Sequence, residues 1–216
     1  LVVLVITVLV SHSLYVYKTY QFPQWDENVY LQYAVNFLPI LKNPTWHFWS
    51  DILEVVKYRQ PFYPFFLSLP LLFLGTEYAY KIALLLNGIF YAATIVFTYL
   101  LSREFLSKVP YFLASYMFAF YGFPLFYIHF AHQETAATSL TVLALFFLAK
   151  TCKSPSLRNT FFFSLFATIG VLVRWIVPVF LLGPFLITLF NFVKRPFLKH
   201  IILFMLVGII PTLLLY

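Results

Sequence analysis

A chain of 216 residues, 62% of them hydrophobic and only 10% charged, with a mean hydropathy of +0.89, carries more apolar surface than a soluble core of that size buries. Lipid is therefore the expected solvent for most of it. The net charge of +7 does not point to nucleic acid, because Lys and Arg fall in small clusters between apolar runs instead of along one basic face, the pattern of positive-inside loops. With Cys152 as the one cysteine, an internal disulfide is impossible, and the fold class expected is an all-α polytopic membrane protein held by helix packing.

In chain order, residues 1 to about 17 are apolar and β-branched without an early charge. They read as a membrane helix or a signal-peptide core, and the helix is favoured because no small-residue cleavage site follows. Residues 18–77 form the one sizeable polar-side stretch, an external loop with interfacial helices within it. There Asn28, Gln32 and Asn36 recur every four residues opposite Val29, Tyr30, Tyr33, Ala34, Phe37 and Leu38, which predicts an interfacial helix stopping near Pro39. A second aromatic-rich piece, Trp46 to Val56, is expected to lie the same way, with Asp51, Glu54 and Lys57 toward the headgroups. The apolar stretch 61–74 carries Pro61, Pro64 and Pro70 and is too short for a span of about 20 residues, so a broken or re-entrant segment is expected. Longer apolar runs follow at about 78–101, 109–128, 134–149, 160–193 and 200–216. The run 160–193 is long enough to hold two short helices turned near Arg174, Trp175 and Pro178.

Orientation follows from the cations. Arg103 with Lys108, then Lys150, Lys153 and Arg158, then Lys194, Arg195 and Lys199 mark three inter-helix loops that should share the cytoplasmic side. About seven transmembrane helices with 61–74 left external satisfy this, with the N-terminus cytoplasmic; counting 61–74 as a span reverses it. No internal repeat or heptad array stands out, so residues 1–216 read as a single transmembrane domain. The chain opens at Leu1 and closes inside an apolar run, which reads as a domain incomplete at both ends.

Charged residues on the external side need a reason to be there. Asp26 and Glu27 are adjacent where the first span emerges, and Lys57 and Arg59 enter the Pro-rich stretch. An acid pair facing a base pair suggests a site for an anionic lipid and an acceptor; the plainer alternatives are a hydrated pair and cations that snorkel to lipid phosphates. Glu134 opens a helix after a short external loop, where a helix-dipole role is the alternative to a functional one. Arg174, at an external helix end, needs a partner such as Asp26, Glu134 or a lipid phosphate, or serves as an anchor beside Trp175. His129, His132 and Glu134 invite a divalent metal, although no second His or Cys cluster completes a tetrahedral site.

The order of Trp25-Asp26-Glu27, then Tyr58-Arg59-Gln60-Pro61-Phe62-Tyr63-Pro64, then the Glu134-led helix, then Gly170-Val171-Leu172-Val173-Arg174-Trp175 resembles the GT-C glycosyltransferases. The nearest branch is the dolichyl-phosphate-mannose protein mannosyltransferase type, itself similar to the aminoarabinose transferases, and the likeness covers the chain as the N-terminal membrane portion of such a protein. It implies a GT-C-type helical bundle and an inverting transfer of sugar from a polyprenyl-phosphate carrier to a protein, lipid or glycan hydroxyl. The active site would be external or luminal, in the plasma membrane of a prokaryote or the endoplasmic reticulum of a eukaryote. The resemblance implies Asp26 as base with Glu27 beside it binding acceptor or metal, Glu134 as the second acidic residue, and Lys57, Arg59 and Arg174 as donor-phosphate contacts. From another class, a transporter or channel subunit would use Arg174 and Glu134 as pathway charges, and a non-catalytic scaffold would use neither.

Overall fold

The computed structural model describes residues 1–18, 23, 25–57, 59–106, 110–121, 126–178, 181 and 198–210. It is all-helical, with no strand among the described residues. The helices are α1 (Val2–Lys18), α2 (Trp25–Asn36), α3 (Leu38–Lys42), α4 (Phe48–Val56), α5 (Phe62–Leu74), α6 (Ala79–Phe105), α7 (Pro110–Phe120), α8 (Glu134–Lys153), α9 (Leu157–Val173) and α10 (Leu198–Phe204), the last running into a π-helical turn at Met205–Ile209. Two stretches, Thr76–Phe105 and Glu134–Lys153, are long and apolar enough to cross a membrane; α1, α5, α7 and α9 are apolar but shorter.

Local chemistry sets several of these ends. The Ser156 hydroxyl accepts the Asn159 N–H at 3.2 Å and caps α9. Gly75, at φ 88°, closes α5 in a conformation only glycine adopts without strain. Helix α8 has Glu134 in its first turn and Lys150 and Lys153 in its last, each charge opposed by the favourable end of the helix dipole.

The expected break at 61–74 is corrected: α5 is one continuous helix of 13 residues. Pro61 and Pro64 sit at its start, where a missing N–H costs nothing, and only Pro70 lies inside. The expected helix at 109–128 ends as helix at Phe120, while α8 runs past the expected 149, so Lys150, Cys152 and Lys153 belong to its last turn and not to a loop. Lys108, Lys194 and Arg195, with most of the 176–193 stretch and residues 211–216, lie outside the described residues.

Directions alternate. Leu4 and Val8 of α1 pack with Tyr91 and Ile95 of α6, and His12 reaches Leu84, so α1 and α6 are antiparallel. Tyr99 of α6 meets Tyr111, and Tyr91 meets Phe118, so α7 runs back along α6. Phe97 meets Phe146 and Glu104 meets Lys150, which makes α8 parallel to α6, and Gly170 against Leu140 returns α9 along α8. Thr160 meets His200 and Phe163 stacks on Phe204, so α10 is parallel to α9. Ala136, Ala137 and Ala144 on α8 are buried among Tyr30, Tyr63, Phe163 and Ala167; small side chains there let the helices approach closely.

The stretch before α6 wraps the bundle end that carries Glu134. The apolar face of α2 is as expected, with Asn28, Gln32 and Asn36 exposed, but protein covers it: Leu31 and Ala34, with Leu38 of α3, pack against Leu67 and Leu71 of α5 and Ala79, Ile82 and Ala83 of α6. Phe37 joins Ile52 and Val56 of α4. Burying those side chains gains more than leaving them at an interface, at roughly 25 cal/mol per Å².

Candidate functional site

Helix α2 begins with the acid pair, and successive helical residues diverge by about 100°. That separates the two carboxylates. Asp26 stays at the surface, where its Oδ1 accepts from Arg59 Nη2 at 2.9 Å. Glu27 turns inward and is 1% exposed; its Oε1 accepts the Ala131 N–H at 2.7 Å, and Tyr80 hydrogen-bonds it. Glu27 is expected from the resemblance to bind acceptor or metal beside Asp26; the structure places its carboxylate against Ala131 and Tyr80, where it ties that backbone to α2.

Of the two cations expected to act together, Arg59 alone joins the acid. Its Nη1 donates to the Tyr30 hydroxyl at 3.4 Å, and the guanidinium lies 5.7 Å from the Tyr30 ring centroid. The Tyr30 bond first, and the Asp26 bond second, hold the Arg59 pKa above its ordinary value. Lys57 ends α4 exposed, with φ 53°, in the turn that carries the chain from α4 toward α5.

Helix α8 supplies the second half. Glu134 stands in its first turn and is paired through Oε1 with Arg174, which follows the last residue of α9. This is one of the partners expected for Arg174. His132 Nδ1 lies 3.9 Å from Glu134 Oε2, and burial, the dominant cause, lowers the His132 pKa against the raising effect of Glu27 and Asp26. A neutral imidazole faces Glu134 at neutral pH.

Tyr30 ties the two halves together. Its ring is edge-on to Tyr63 at 5.6 Å and to His132 at 6.5 Å, and it lies in the fields of Asp26, Arg59 and Arg174 at once. Asp26 with Arg59, and Glu134 with Arg174, therefore stand around one aromatic and histidine centre at the same end of the bundle.

The proposed metal ligands diverge. His129 packs its ring 4.0 Å from Tyr15 and 5.6 Å from His12, away from Glu134. No three His, Cys, Asp or Glu side chains come together to hold a metal among the described residues. The sequence reasoning also missed Asn87. It is 0% exposed in the first third of α6, accepts from the Tyr63 hydroxyl at 3.2 Å, and donates to the Phe130 and His132 carbonyls at 2.6 and 3.1 Å. An amide within the apolar run Leu84-Leu85-Leu86-Asn87 was the available signal, since a buried polar group must find partners. His12, 3% exposed and bonded to the Leu84 carbonyl at 2.7 Å, is a second such residue. Gly88 makes room for it, because a Cβ there would collide with the His12 ring.

No protein-family model, no curated protein and no solved structure matches this chain. The case for a function rests on the arrangement of its side chains.

Proposed function

We propose that the chain is the membrane portion of a polyprenyl-phosphate-sugar-dependent inverting glycosyltransferase of the GT-C type, acting on the outer or luminal side. The observation that carries the reading is the meeting of two carboxylate–guanidinium pairs, Asp26 with Arg59 and Glu134 with Arg174, around Tyr30 and His132 at one bundle end. The parallel packing of α9 and α10 supports the alternation that about seven spans require.

Transfer needs a base for the incoming hydroxyl and positive charge for the departing phosphate. The donor phosphate exchanges with Asp26 for the Arg59 guanidinium, which matches phosphate geometry in a bidentate manner. That exchange leaves the Asp26 carboxylate to accept the acceptor's proton. The acceptor oxygen attacks the anomeric carbon, the bond from that carbon to the phosphate oxygen breaks with its electron pair going to the phosphate, and the centre inverts. Exposed Lys57 adds charge along the donor's approach. Glu134, paired with Arg174, fixes the acceptor side.

The test is transfer of radiolabelled sugar from a polyprenyl-phosphate donor by the full-length protein in liposomes. Asp26→Asn keeps size and hydrogen-bonding reach, and turnover should fall by about 10²-fold or more with donor binding retained. Arg59→Ala should instead weaken donor use beyond Lys42→Ala, a change in a cation with no assigned role. Wild-type rates from Asp26→Asn would remove the reading.

A further inference from the structure

Beside the Glu134–Arg174 pair opens a groove of about 460 Å³, walled by Tyr91 and Thr94 of α6, Phe118 of α7, Ile176 and one face of α8 from Glu134 to Val142. Eight residues of helix separate those last two, a run of about 12 Å. The volume falls in the usual range for small-molecule sites, and the walls are mostly carbon. Their hydroxyl protons are already committed: Thr138 and Thr141 donate to the Glu134 and Ala137 carbonyls at 2.9 and 2.8 Å. Thr94 donates to Phe90 at 2.9 Å, and Tyr91 to Phe118 and Ala119 at 3.2 and 3.1 Å.

The polar end differs. Glu134 Oε1 is held by Arg174, while Glu134 Oε2 and the Thr135 hydroxyl are buried without a hydrogen-bond partner among the described residues. Thr135 is 5% exposed and lines the groove. His132 Nδ1, at 3.9 Å from Oε2, is beyond hydrogen-bond reach. Buried polar atoms of this kind are normally satisfied, and each one left over asks for a partner. Arg174 is engaged by Oε1 of the same carboxylate, so the groups left unpaired at this end are the Glu134 Oε2 and the Thr135 hydroxyl.

We infer that the groove binds a single-chain neutral amphiphile with a hydroxyl head, the O–H donating to Glu134 Oε2 beside Thr135 and the apolar chain lying along Thr138 to Val142. An anionic head fits less well, since it would face the unpaired carboxylate oxygen Oε2. An alkane would leave both polar atoms unpaired. The inference takes from the proposed function only the placing of the acceptor side at Glu134, which would make a lipid alcohol the acceptor class, and it is read by binding without any transfer.

The experiment uses the full chain in liposomes with a hexadecanol carrying a diazirine in its tail, followed by peptide mapping of the crosslink. Labelling should map to the α8 peptide containing Thr138 and Val142. Unlabelled hexadecanol should compete about 10-fold better than hexadecane or hexadecyl phosphate, the difference expected for one hydrogen bond to a charged group. Thr138→Trp fills the groove from an exposed position and should cut specific labelling about 10-fold. Glu134→Leu removes the accepting oxygen and should erase most of the preference for alcohol over alkane, while Thr135→Val, which keeps the shape, should lower it by less. Equal competition by the alkane would mean annular lipid only, and stronger competition by the phosphate would mean an anion site; either overturns the inference. So does full labelling of Thr138→Trp. Loss of transfer in Asp26→Asn with alcohol binding intact would separate the two readings.

Discussion

The two ends of the helical bundle use the same ionic groups in opposite proportions. At the Glu134 end, Asp26, Glu27 and Glu134 meet Arg59 and Arg174, each surface carboxylate with its own guanidinium. At the other end one carboxylate, Glu104, receives both Lys150 and Lys153 at 3.2 Å, while Arg103 lies 5.8 Å from the Tyr99 ring and Arg158 5.9 Å from that of Phe162. Exposure of the surface pairs does not separate the ends: the Asp26 side chain, at 53%, is more open than that of Glu104, at 18%. The difference lies in what surrounds them. The Glu134 end adds a buried carboxylate and neutral imidazoles, whereas the Lys150 end is a cation excess beside an open apolar groove lined by Arg158, Phe161, Phe162 and Lys199. Pairing by itself is therefore a poor guide to function, and the presence of buried polar groups with loop backbone on them is a better one.

The comparison predicts its largest contrast at Glu27. Glu27→Ala strands the Ala131 N–H in a buried place and takes a partner from the half-buried Tyr80, so unfolding in detergent should show a loss of about 3 kcal/mol, with the 126–133 loop becoming accessible to protease. Glu27→Ala at wild-type stability would show that this carboxylate tethers nothing and that the two ends are held alike.

A smaller contrast concerns pH. Burial lowers the pKa values of His129 and His132, with His12 adding to the effect on His129. The folded protein thus binds fewer protons than the unfolded chain just below the ordinary histidine value. The stability contributed is fully present above about pH 6.5 and is lost as pH falls through the lowered folded-state values. Unfolding followed from pH 7.5 to 5 should reveal this loss, and the double variant His129→Gln with His132→Gln should flatten it. An unchanged slope in the double variant would place the titration elsewhere.

How much of this was legible in the sequence depends on the range of the cause. Helix α2, with its polar stripe at Asn28, Gln32 and Asn36, and the turn at Arg174 were readable, because period and end signals are local. Arg59 opposite Asp26 was suggested by order along the chain and realised across 33 residues. The inward turn of Glu27 was not legible, since which of two adjacent acids is buried depends on where the 126–133 loop lies, 104 residues away. Continuity of α5 was missed for a different reason: three prolines argue for a break only until two of them prove to occupy the first turn. That His129 stands apart from His132 and Glu134 has the same long-range ground, because its ring is drawn to Tyr15 and His12 of α1.

The smallest predicted effect tests the other side of the comparison. Glu104→Gln removes the one carboxylate between Lys150 and Lys153, yet lysines on flexible stems, about half exposed at 41% and 50%, can turn to water when their partner goes. The expected cost is roughly 0.5 kcal/mol, typical of exposed ion pairs, and it should shrink further as salt is raised. Measured beside Glu27→Ala in the same detergent, Glu104→Gln should leave the unfolding midpoint almost unmoved and leave hexadecanol labelling of the groove unchanged, since Glu104 lies about 15 Å along α6 from Thr94. A loss comparable to that of Glu27→Ala would mean the Lys150 end is as tightly organised as the Glu134 end, and the contrast in charge proportion would then no longer separate the two.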